Sequence, residues 1–180
     1  IGYQVQHIEN TEQREWLLHA IESGTHFEPL SADAKKRLFK RLCEVEALEQ
    51  FIHRAYLGQK RFSIEGTDVM VPMLDQAIER AASAGAREVV IGMAHRGRLN
   101  VLTHVVGQPY SAIIAEFEGA HSSFGTTGDV KYHFGAEGTY ATLSGEPLTV
   151  TLLPNPSHLE FISSVVQGTA RAKQTRRDTP

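Results

Sequence analysis

Apolar residues recur every three or four positions through the first half of the chain and then gather into short runs, so helices are predicted first and strands later. Between residues 11 and 23, Trp16, Leu17, Ala20 and Ile21 follow a helical period. Thr11 is the predicted cap of that helix, with Glu12 and Gln13 behind it, and Gly24-Thr25 is the stop. Ser31 opens a second, long helix with Asp33 at its positive end. Its stripe is Leu38, Leu42, Val45, Leu48, Phe51, Ile52 and Tyr56, and Gly58 ends it. Thr67 or Asp68 caps a third helix that carries Val69, Val71, Leu74, Ile78 and Ala82 and stops at Gly85.

The pattern then changes. Residues 86–92 form a short apolar, β-branched segment after a helix, which reads as a buried parallel strand. A helix is predicted over 97–106, broken by Gly107-Gln108-Pro109, and a short one over 111–117. Residues 118–128 are rich in Gly, Ser and Thr and read as a loop. Strands are predicted over 139–143 and 148–153, joined around Ser144-Gly145-Glu146-Pro147. Ser157, with Glu160 three residues on, has the capping-box spacing of a last helix through Val165, Val166 and Ala170. The expected fold class is α/β. A helical amino-terminal segment, 1–59, precedes a mostly parallel sheet flanked by helices, 60–180, in which Val89 and Val150 lie on neighbouring strands.

Composition narrows the function classes. The 180 residues are 41% hydrophobic and 22% charged, ordinary for a globular protein, and the formal net charge of -3 argues against a nucleic-acid partner. No apolar run is long enough for a membrane helix. The single cysteine, Cys43, cannot form an intrachain disulfide and is expected as buried filler in the second helix.

Three blocks carry the candidate chemistry. In the first, Gly92-Met93-Ala94-His95-Arg96-Gly97-Arg98, strand, turn and helix start together make an anion-binding geometry. Arg96 and Arg98 add forked donors, and His95 can donate a hydrogen bond or move a proton. The plainer reading, with surface ion pairs and a capping histidine, stands level with it. The second block, residues 128–135, holds His133, for which a half-buried histidine bonded to backbone is the plainer reading. In the third, Asn155-Pro156-Ser157-His158-Leu159-Glu160, helix capping alone accounts for Ser157. The nine histidines lack metal-site spacing, so no metal site is expected among them.

Lys60-Arg61-Phe62-Ser63-Ile64-Glu65-Gly66, residues 92–102, residues 128–135 and residues 155–160, in that order, resemble the decarboxylating subunits of 2-oxoglutarate dehydrogenase complexes. Residues 7–13 and 166–173 share the likeness. The resemblance implies a transketolase-like sheet that binds thiamine diphosphate through Mg²⁺. It also implies decarboxylation of 2-oxoglutarate and passage of the succinyl group to the lipoyl arm of a succinyltransferase partner. A homodimer, in the bacterial cytoplasm or the mitochondrial matrix, is implied as well. On the same ground His95 and His133 are the catalytic residues lining the substrate pocket, Ser157 helps hold the substrate carboxylate, and Arg96 and Leu159 touch the cofactor. The family's metal signature, Gly-Asp-Gly or Gly-Asp-Ala with a later Asn, is missing, and Gly128-Asp129-Val130 is a different motif. No metal ligand is therefore assigned, and this piece by itself is expected to be inactive. A 2-oxoadipate dehydrogenase, a 2-oxoglutarate decarboxylase relative and a non-enzymatic anion-binding fragment are the alternatives.

Overall fold

The computed structural model describes residues 2–25, 27–119, 133–155 and 159–177. It divides into two compact units, Ile1–Arg37 and Leu38–Pro180.

In the first unit, helix α1 (Thr11–Ser23) is capped by Asn10 and not by Thr11. Asn10 has extended backbone and its Oδ1 accepts the Gln13 N–H at 3.0 Å, while Thr11 is already helical. Gly24, at φ 69°, ends the helix as expected, its N–H bonded to the Ile21 carbonyl. Leu17, Ala20 and Ile21 are half-buried, and Trp16 is exposed.

Helix α2 (Ala32–Ala55) opens with the Ser31 hydroxyl accepting the Ala34 N–H. In the second unit it buries Val45, Leu48 and Ile52, but leaves Phe51 on the outer side. Cys43 is exposed, against the expectation of a buried filler. Two positions from Val45 is about 200° around a helix, so Cys43 lies opposite the stripe. Helix α3 (Met70–Ser83) starts without a side-chain cap. The Thr67 hydroxyl donates instead to the Ile64 carbonyl of the preceding turn, and Asp68 does not cap either.

The sheet has three strands in the order β1-β3-β2, with β1 (Glu88–Ile91), β2 (Ala136–Ala141) and β3 (Pro147–Leu152). β1 and β3 are parallel, with Val89 opposite Val150 as the sequence implies. β2 joins β3 as an antiparallel hairpin, so the sheet is mixed and only one of its two pairings is parallel. β2 starts at Ala136, ahead of its predicted position. The reason is Gly138, where a Cβ would stand 1.9 Å from the Val106 carbonyl oxygen. The glycine is there for close approach of the two backbones. β3 is central, with Leu148, Val150 and Leu152 buried, whereas all four residues of β1 are only half-buried.

Helix α4 (Arg98–His104) is shorter than predicted, and all its residues are buried. The chain leaves it in a wide turn, with Val106 N–H on the Val101 carbonyl and Gln108 N–H on the Leu102 carbonyl. Helix α5 (Tyr110–Phe117) follows. Helix α6 (Leu159–Arg176) lies against β1 and runs antiparallel to it. Gly92, just beyond β1, touches Ile162 and Val166, and Glu88, at the start of β1, pairs with Lys173 and Arg177. Among the described residues no helix is long and apolar enough to cross a membrane.

Candidate functional site

Parallel strands β1 and β3 end on the same edge of the sheet, where α/β proteins place their ligands. Three chain segments meet there: the turn after β1 (92–97), the approach to β2 (133–135) and the exit from β3 (153–155).

Arg98 holds them together. It is fully buried, and its guanidinium donates to the carbonyls of Met93 (3.1 Å), Phe134 (3.0 Å from Nε) and Leu153. Among the described residues its partners are all backbone carbonyls. Burial pulls its pKa down to about 10, which leaves it cationic at neutral pH. The expectation that Arg98 offers a fork to an external anion is therefore corrected: the fork is occupied. The charge still contributes a positive potential to this edge. Two N–H groups at the helix start that was to bind an anion are taken up within the chain: the Gly97 N–H donates to Phe62 O and the Arg98 N–H to His95 O.

Asn155 completes the junction. It is buried, its N–H donates to the His133 carbonyl at 3.1 Å, and its Nδ2 donates to the Met93 carbonyl at 2.9 Å. Its Oδ1 is buried and has no partner among the described residues. An unsatisfied buried acceptor is costly and calls for an explanation, such as a ligand or water. Gly135 allows a close approach, because a Cβ there would lie 2.9 Å from the Leu152 carbonyl oxygen and 2.7 Å from Pro154.

This scaffold brings His95 and His133 together. Their ring centroids are 6.3 Å apart and the planes are nearly perpendicular, at 83°. The Phe62 ring packs against His95, with centroids 4.0 Å apart and planes tilted by 38°. Arg96 is exposed and directs Nη1 to the Ser63 carbonyl at 2.7 Å. Ser157 and the Leu159 side chain lie outside the described residues.

Two contributors were not picked out from the sequence. Phe62 has a left-handed backbone, φ 43°, which a bulky residue rarely adopts and which has to be imposed by its surroundings. Glu49 supplies that support. Its buried carboxylate accepts from Arg61 Nη1 (3.0 Å), Asn100 Nδ2 (2.7 Å) and the Ile64 N–H (3.3 Å), binding α2 and α4 to the segment that carries Phe62. The signal was available: Glu49 is an acidic residue on the flank of the Val45–Ile52 stripe, where solvated carboxylates do not belong.

Sequence comparison gives this geometry its family context. The chain is 49% identical to a Bacillus mycoides protein named 2-oxoglutarate dehydrogenase E1 component, over 98% of the chain. It is 50% identical to proteins of the same name from Bacillus cereus and Bacillus anthracis. The chain matches the 2-oxoglutarate dehydrogenase E1 component. It spans about a fifth (19%) of the length of these E1 relatives. No family model matches the chain. The E1 match covers every segment that meets at the Arg98 junction, so the junction belongs to the E1-like sequence and not to an appended piece.

Proposed function

We propose that the chain forms part of a 2-oxoglutarate dehydrogenase E1 subunit, which decarboxylates 2-oxoglutarate and passes the succinyl group to a lipoyl-bearing succinyltransferase. The observation that carries this reading is the His95–His133 pair, assembled from distant segments on the sheet edge above a buried arginine. A 2-oxo acid is a small anion with a polarised carbonyl, and imidazoles beside a positive potential suit both features.

The residues present also suit a bound thiamine diphosphate. That cofactor is anionic at one end and heteroaromatic at the other. The cationic Arg98, the exposed Arg96 and the unpartnered Asn155 Oδ1 offer charge and an acceptor to such a ligand. Arg96 and Leu159 would hold the cofactor, and Ser157 the substrate carboxylate. When bound, the cofactor supplies a carbanion and an electron sink. His95 and His133 orient the oxo acid and hold or release a proton at their ring nitrogens. Phe62 keeps one face of His95 dry. Among the described residues no cluster of three His, Cys, Asp or Glu is placed to hold a metal ion, so no Mg²⁺ ligand is assigned to them.

In this reading residues 60–180 are the first part of a transketolase-like cofactor domain and residues 1–59 a helical segment before it. The parent subunit would work as a homodimer; for its location, the Bacillus relatives favour a bacterial cytoplasm. The test is the full-length parent assayed for thiamine-diphosphate- and Mg²⁺-dependent release of CO2 from 2-oxoglutarate, with 2-oxoadipate in parallel. Turnover of 2-oxoglutarate that needs both additions supports the reading. Preference for 2-oxoadipate moves the assignment to that relative, and no decarboxylation of either acid overturns it.

A further inference from the structure

We propose that His104 is a pH-sensitive latch on the turn between α4 and α5: its neutral ring keeps the turn closed against β2, and protonation lets the turn open. His104 ends α4 and Tyr110 begins α5. Their side chains meet across the turn, Nε2 to the phenol oxygen at 3.0 Å, with the rings edge to face at 72°. Inside this closure the Val105 and Val106 N–H groups donate to the Val101 carbonyl and the Gln108 N–H to the Leu102 carbonyl. Val105 and Val106 are buried, and the Val106 carbonyl lies against Gly138 of β2. Helix α4 thus grips one arm of the sheet at both ends. Arg98, at its start, holds the Phe134 carbonyl ahead of β2, and Val106, beyond its end, backs Gly138 within β2. That arm also carries His133, so a latch at His104 governs one of the two grips on it.

The surroundings suit a neutral ring. His104 is buried, and its Nδ1 has no partner among the described residues. Burial weighs most against an imidazolium there. Of the charges around it, Arg41 on α2 opposes the charged ring, whereas Glu44 on α2 and Asp75 on α3 favour it. Both carboxylates are already engaged: Glu44 accepts from Arg41 Nη1 at 2.8 Å, and Asp75 accepts from Arg41 Nε at 2.6 Å and from the Tyr140 hydroxyl of β2 at 3.0 Å. The Asn100 carbonyl, one turn back, favours the charged ring without closing a hydrogen bond to it. A proton on His104 is therefore best stabilised when water reaches the ring. Tyr110 is the exposed member of the pair, so the turn parts on its side. The latch stands whether or not His133 is catalytic.

The test is amide hydrogen exchange in the full-length parent, resolved to single residues and corrected for intrinsic rates, between about pH 7.5 and pH 5.5. The closed turn binds the proton less readily than the open one. Opening at Val105, Val106 and Gln108 therefore grows as pH falls below the ordinary imidazole value of about 6.5, by up to ~10-fold per pH unit. Throughout, these amides exchange at least ~10-fold faster than those of β3, because the turn opens without the strand. His104→Gln flattens the pH dependence. Tyr110→Phe, which keeps the ring and removes the hydroxyl, opens the turn ~5-fold at neutral pH, and it decides the matter should His104→Gln not fold. Opening that does not change with pH, or a change that survives in His104→Gln, overturns the proposal. So does a turn that exchanges only in step with β3, or a Tyr110→Phe turn as protected as the parent's.

Discussion

Arg98 Nε donates to the Phe134 carbonyl at 3.0 Å, joining the start of α4 to the approach of β2. The same guanidinium reaches the Met93 and Leu153 carbonyls, so a single side chain fixes all three segments of the site. Replacing it with methionine keeps most of the apolar stem but takes the side-chain donor from the Phe134 and Leu153 carbonyls and leaves the Met93 carbonyl with Asn155 Nδ2 alone. The expected loss is roughly 3 kcal/mol or more, at about 1–3 kcal/mol for each unsatisfied group with partial relief by water. Arg98→Lys restores charge but not the fork, and should recover only part of the loss. Thermal unfolding of the parent variants checks this. A Tm unchanged in Arg98→Met would mean that the junction is held by something else.

Glu49 acts one layer further out. Glu49→Ala strands the buried Asn100 amide and takes one ion-pair partner from the half-buried Arg61, which keeps Glu65, and a cost of about 2 kcal/mol is expected. Because the Ile64 N–H is released too, Phe62 loses the support for its left-handed backbone. Turnover should therefore fall more in Glu49→Ala than in a surface variant matched for stability. Equal losses in the two would reduce Glu49 to a stability residue.

Gly92 is required by packing, not by backbone angle. An added Cβ would lie 2.4 Å from Val166 Cγ2 and 2.5 Å from Ile162 Cγ1. Gly92→Ala should destabilise the α6–β1 contact by about 1–3 kcal/mol. Val166→Ala in the same chain should return part of that. A double variant no more stable than Gly92→Ala would count against the steric account.

Two groups make stability depend on pH. Burial lowers the His104 pKa below the ordinary imidazole value, so the folded state favours the neutral ring that faces the Tyr110 hydroxyl at 3.0 Å. The unfolded chain then binds the proton more readily. This contribution is present above the ordinary imidazole pKa and is lost as pH falls below it. Glu88 is held below the usual carboxylate value by its hydrogen bond to Lys173, so its contribution is present above that value and fades in more acidic solution. Urea unfolding across pH should show both falls, with His104→Gln removing the upper one and Glu88→Gln the lower. A profile for His104→Gln that overlays the parent's would contradict the first assignment.

The element plan was legible because period and punctuation agree. Gly24 stops α1 at φ 69°, and the Val89 and Val150 runs do pair. What escaped the sequence depends on partners distant along the chain. Arg98 reads as a surface donor because nothing local shows that three carbonyls converge on it. Gly138 falls just outside the predicted strand because the Val106 backbone that demands a glycine there is far away in sequence. Cys43 reads as core, although its angle around α2, measured against Val45, already turns it outward. At the site, the residues proposed to carry chemistry, His95 and His133, stand out in the sequence by type and motif. Those that hold them, Glu49 and Phe62, do not, because an ordinary acid and an ordinary aromatic become special only through burial and backbone strain.

The most direct test of the account is the turnover of His95→Ala and His133→Ala in the full-length parent, measured beside thiamine diphosphate binding and thermal unfolding. The account predicts that each variant folds and binds the cofactor but loses 2-oxoglutarate turnover by ~10²-fold or more, the scale of a lost acid–base or oxyanion contact. Folded variants with cofactor bound and turnover at the parent's level would contradict it and leave both histidines as packing residues.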